Sequence, residues 1–123
     1  MLRNITVKAI ATLAFAVVAS EAFAHAQLQK AAPAVGATIT VSPTEIRLKF
    51  SEGVEPRFSG IALATEGGAA EPLGKASVDP ADDSTFSAPI PQRLKPGVYR
   101  VTWHAVSVDT HKTQGSFTFT VAP

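Results

Sequence analysis

The sequence has no cysteine, one methionine at position 1, and three histidines in 123 residues. Disulfide scaffolds and thiolate metal sites are therefore excluded. No charge of one sign dominates: eleven Lys plus Arg face ten Asp plus Glu, a net +1. A nucleic-acid-binding charge balance is absent. Long apolar runs are absent as well, apart from an 11-residue stretch at 9–19. A bilayer-spanning helix needs about 20 such residues. What is present is 46% apolar residues, enough for one globular domain and too many for a disordered chain.

Residues 1–24 read as a secretory signal peptide. Arg3 and Lys8 give a positive start, 9–19 is the apolar segment, and Ala22-Phe23-Ala24 is a small-x-small cleavage site. Cleavage after Ala24 takes 24 residues from 123 and leaves a mature domain of 99, residues 25–123. That domain has nine basic and nine acidic side chains, because Arg3, Lys8 and Glu21 are removed. It contains no sulfur, so it must be held by its core alone.

After residue 24 the pattern is that of strands. Ile46, Leu48 and Phe50 alternate with Arg47 and Lys49. Further strands are predicted at 39–41, 58–64, 85–90, 98–106 and 115–121. Pro89 and Pro91 mark an edge or a strand end. Pro96-Gly97 carries a type II turn signature. The spacing of turn signals predicts an all-β, immunoglobulin-like sandwich without a disulfide. Its expected core is Leu28, Ile46, Leu48, Phe50, Ile61, Leu63, Phe86, Val101, Trp103, Phe117 and Phe119. Such a fold names no function, so the site residues must.

Cleavage would make His25 the first residue. It then offers two nitrogens, a free α-amine and an imidazole, whose unperturbed pKa values of about 7.7–8.0 and 6.5 let a metal displace both protons near neutral pH. Asp109 and His111 stand two apart, so in an extended segment both point to one side. That spacing suits a metal and equally an Asp–His hydrogen bond. Three nitrogens and one oxygen from His25, His111 and Asp109 suit tetragonal Cu(II). Zn(II) accepts the same ligand types. Cu(I) would want thiolate or thioether, which the mature chain lacks. His104 follows Trp103 in a strand and so faces away from it, onto the outer surface. Glu52 is either a solvated loop carboxylate or an acceptor for a ligand's N–H.

These segments together resemble the CopC/PcoC family of periplasmic copper-binding proteins. The matching stretches are Ala24-His25-Ala26-Gln27-Leu28, Pro33-Ala34-Val35-Gly36, Leu48-Lys49-Phe50-Ser51-Glu52-Gly53-Val54-Glu55, 96–103, Val106-Ser107-Val108-Asp109-Thr110-His111, and Gly115-Ser116-Phe117-Thr118-Phe119. The resemblance implies a Greek-key sandwich of about seven strands, one Cu(II) per chain and a periplasmic place. His25, Asp109 and His111 are the implied metal ligands, with Glu52 in the second ligand shell. The family's Cu(I) site lies in a Met-rich loop, and the stretch before Val98 has no methionine. A Cu(II)-only member is therefore expected, acting in copper resistance or homeostasis as a carrier or buffer rather than an enzyme. An inner-membrane partner of the CopD type is implied as a separate polypeptide. Two other readings compete: a copper mono-oxygenase built on the N-terminal histidine, and a metal-free structural sandwich.

Overall fold

The computed structural model describes residues 26–123. His25 and the expected signal peptide lie outside the described residues. Among the described residues nine strands appear in the order β1 (Leu28–Ala32), β2 (Thr38–Ile39), β3 (Glu45–Phe50), β4 (Gly60–Thr65), β5 (Ala70–Glu71), β6 (Ser77–Asp79), β7 (Asp82–Pro89), β8 (Gly97–Val106) and β9 (Lys112–Val121). They form a four-stranded sheet, β1-β3-β7-β6, and a five-stranded sheet, β2-β9-β8-β4-β5. The pairings are antiparallel except β2 with β9. This is the expected all-β sandwich. The strand total exceeds the expected seven; β2 overlaps the strand expected at 39–41, while β5 and β6, only two and three residues long, were not expected. Segments that short carry no readable alternation.

β3 obeys its sequence pattern. Ile46, Leu48 and Phe50 are buried and face the second sheet. β8 does the same with Tyr99, Val101, Trp103 and Ala105, leaving Arg100, Thr102 and His104 exposed. Phe50 meets Trp103 edge to face, with ring centroids 5.1 Å apart. Gly115 makes room for that indole, since a Cβ there would stand 2.7 Å from Trp103 Cζ2. Leu28 and Ile61, expected in the core, are half-buried and pack against it. Tyr99 joins the core unannounced. Its ring stacks on Phe119 at 5.6 Å and its hydroxyl donates to Lys95 O at 2.6 Å, closing the approach to β8. Gly97 in that approach has φ +151°, beyond the roughly +80° of a type II turn.

The outward faces of β3 and β7 are joined by charge. Lys49 Nζ donates to Asp82 Oδ2 at 2.9 Å, and Asp82 also accepts from the Ser84 hydroxyl, the Ser84 amide and the Thr85 hydroxyl. The Ser84 hydroxyl first and the Lys49 ammonium second hold the Asp82 carboxyl far below the usual carboxylate range. A depressed folded-state pKa contributes stability above the unfolded value, and that contribution is lost as pH falls toward the folded value. Asp82→Asn should therefore lower the melting temperature by a few degrees at neutral pH. The deficit should narrow below about pH 4, where the unfolded wild-type carboxylate begins to protonate. Thermal melts of both proteins across pH check this. A deficit independent of pH would remove the ionic explanation.

Candidate metal centre

One end of the sandwich gathers three segments. The connection at 51–59 leaves β3, the loop at 107–111 joins β8 to β9, and the chain enters β1 through Ala26 and Gln27. Backbone bonds weld the first two. Glu55 N–H donates to Val106 O at 2.8 Å, Val108 N–H donates to Gly53 O at 3.0 Å, and Val54 bridges Ser107. The entering chain is tied to both sheets. Gln27 N–H donates to Ser51 Oγ at 2.8 Å and Ser51 N–H donates back to Gln27 O at 2.8 Å. Across the seam, Thr113 Oγ1 donates to Ala26 O at 2.8 Å, and Ala26 is fully buried.

The loop at 107–111 brings Asp109 and His111 together. His111 Nδ1 lies 3.2 Å from Asp109 Oδ1, with both side chains about half exposed. Their same-side arrangement does not come from extended backbone. The loop is a tight turn in which Thr110 has φ +73°, and Thr110 N–H donates to Ser107 O at 2.8 Å. A β-branched residue at positive φ is strained by roughly 1–3 kcal/mol. The loop tolerates it because the backbone bonds at both ends determine its path. The Ser107 hydroxyl also donates to Asp109 Oδ1. That hydroxyl is the first cause of the lowered Asp109 pKa; partial burial opposes it, and His111 adds to it. Asp109 is thus a carboxylate at neutral pH.

The other candidates stand apart. Glu52 is half-buried in the 51–59 connection. Among the described residues no three His, Asp or Glu side chains gather at metal-holding distance, so Glu52 does not close a cluster with Asp109 and His111. His25, the expected chelating residue, lies outside the described residues. His104 is on the outer face as expected, laid over Gly60, where a Cβ would sit 2.6 Å from its ring. It looks into an open cleft of about 520 Å³ lined also by Phe58, Thr110 and Lys112, but not by Asp109 or His111. The Asp109–His111 pair is therefore a surface feature outside that cleft.

Sequence reasoning missed Ser107 and Thr113. The signal for Ser107 was a hydroxyl residue two before Asp109, a spacing at which serine bonds locally. Thr113 had none, because its partner Ala26 is 87 residues away.

A family model described as the CopC domain matches residues 28–122. The chain belongs to the CopC family. It is 41% identical over 113 residues to Protein YobA of Escherichia coli K12, covering 92% of this chain and 91% of that protein. It is 38% identical to Copper resistance protein C of Escherichia coli, covering 85% of this chain and 86% of the relative. Among solved structures, CopC from Methylosinus trichosporium OB3b superposes with a TM-score of 0.75 at 29% identity, over 80% of this chain and 95% of that one. PcoC, described as a methionine-rich copper resistance protein from Escherichia coli, gives 0.71 at 32% identity, over 79% and 98%. This CopC-family chain departs from that description, since its one methionine is Met1.

Proposed function

We propose that this CopC-family chain binds one Cu(II) in the periplasm and acts as a carrier or buffer in copper resistance and homeostasis. The ligands are the α-amine and imidazole of His25, the imidazole of His111 and the carboxylate of Asp109. Glu52 accepts from a ligand N–H, and the chain passes its copper to an inner-membrane partner of the CopD type. The observation that carries this reading is the anchoring of Ala26. Ala26 is buried and bonded to Thr113, two residues after His111, which supports a ligand set that includes the residue before it.

Ligand chemistry supports Cu(II). Nitrogen and carboxylate donors in a tetragonal set favour it, and it heads the divalent affinity order. Binding proceeds without turnover, and release follows falling pH because protons compete for the amine and imidazoles. The test is an intact mass on protein exported by its own host, followed by Cu(II) titration with electron paramagnetic resonance. A mass starting at His25, with one copper in a nitrogen-rich tetragonal spectrum that His104→Ala leaves unchanged, supports the reading. A different start, or a spectrum lost in His104→Ala, sinks it.

A further inference from the structure

We propose that Ser107 is the positioning residue of this centre, holding Asp109 and His111 in ligating geometry before metal arrives. The proposal rests on the copper reading above. Ser107 is 1% exposed, so its hydroxyl is walled off from water. It donates to Asp109 Oδ1 and accepts from the His111 amide at 3.2 Å. Its own amide donates to His111 O at 2.9 Å, and its carbonyl accepts from Thr110. One buried residue thus touches every other residue of the turn that carries chemistry, and Val54 pins it from the neighbouring connection.

The result is a matched pair of donors. Asp109 Oδ1 and His111 Nδ1 stand 3.2 Å apart. Two donors each about 2 Å from a metal, at right angles, stand roughly 2.8 Å apart. That separation is a hydrogen bond from His111 to Asp109; a metal would have to break it and turn both groups toward itself, but their spacing is already close to that of adjacent ligands. The strained φ of Thr110 fits the same account, since a strained turn persists only where its surroundings determine it. Without the hydroxyl, Asp109 loses one of its donors and the His111 amide one acceptor. The turn is then free to relax away from the paired geometry.

The experiment compares processed wild type, Ser107→Ala and Ser107→Thr by chelator competition for Cu(II), by electron paramagnetic resonance and by thermal melting without metal. Ser107→Ala should weaken Cu(II) by roughly 10–100-fold, the usual loss for an outer partner of a ligand, and change the copper hyperfine splitting. Ser107→Thr, which keeps the hydroxyl, should restore both. An alanine variant with wild-type affinity and spectrum overturns this proposal and leaves the copper reading standing. A wild type that takes no copper overturns both. Should the variants fail to fold, backbone order parameters of metal-free wild type decide the matter. Values near 0.85 across 107–111, as in rigid backbone, support preorganisation, and values below about 0.6 overturn it.

Discussion

Replacing His25 with alanine in the processed protein is expected to weaken Cu(II) binding by roughly a hundredfold or more. An outer partner of a ligand is already worth about 10–100-fold, and His25 is proposed to ligate directly. The substitution leaves the α-amine in place, so it removes one nitrogen and opens the chelate ring. Retaining the signal peptide makes the opposite cut: the imidazole stays, and the amine becomes a peptide nitrogen that no longer ligates. Both should lower the nitrogen count in the electron paramagnetic resonance spectrum, by different routes. His111→Ala should do so as well and should leave Asp109 without its partner 3.2 Å away. Affinities measured by chelator competition on the four proteins check the set. Equal affinity in wild type and His25→Ala would place the metal elsewhere and end the N-terminal chelate.

The largest stability loss is expected from Phe50→Ala. Phe50 is 1% exposed and meets Trp103 edge to face at the end of β3. Truncating a buried phenylalanine costs about 3–5 kcal/mol, a large part of the roughly 5–15 kcal/mol that holds a domain folded. The melting temperature should fall by roughly 15 °C or more in a domain of this size. Trp103 is the single tryptophan and is 8% exposed, so its emission follows the transition directly. Val41→Ala is the natural contrast, because Val41 is 75% exposed. That change should stay within about 0.5 kcal/mol. Comparable losses in the two variants would mean that the core does not lie between β3 and β8.

The sandwich was legible because its long strands alternate cleanly. Ile46, Leu48 and Phe50 in β3 and Phe117 and Phe119 in β9 declare one buried face, and burial follows. β1 was not legible. Gln29 and Lys30 give Leu28–Ala32 a polar middle, and its place beside β3 is fixed by partners such as Phe50 and Leu48, far along the chain. At the candidate metal centre the spacing of Asp109 and His111 could be read directly. The reason they converge could not, since it lies in the positive φ of Thr110 and the buried hydroxyl of Ser107. The two-residue spacing of Ser107 and Asp109 hinted at the bond, but the burial of Ser107 is set by tertiary contacts such as Val54.

The anchoring of Ala26 has a mechanical consequence. Gln27 is tied to Ser51, beyond β3 of the four-stranded sheet, and Ala26 to Thr113 on β9 of the five-stranded sheet. The entry of the chain is therefore a suture across the open end of the sandwich. A metal shared between residue 25 and the 107–111 loop would draw that suture tight. Each tenfold excess of free metal over its dissociation constant then adds about 1.4 kcal/mol against unfolding. Loaded and empty forms would consequently differ in lifetime as well as in cargo, and a periplasmic protease would remove the empty one first.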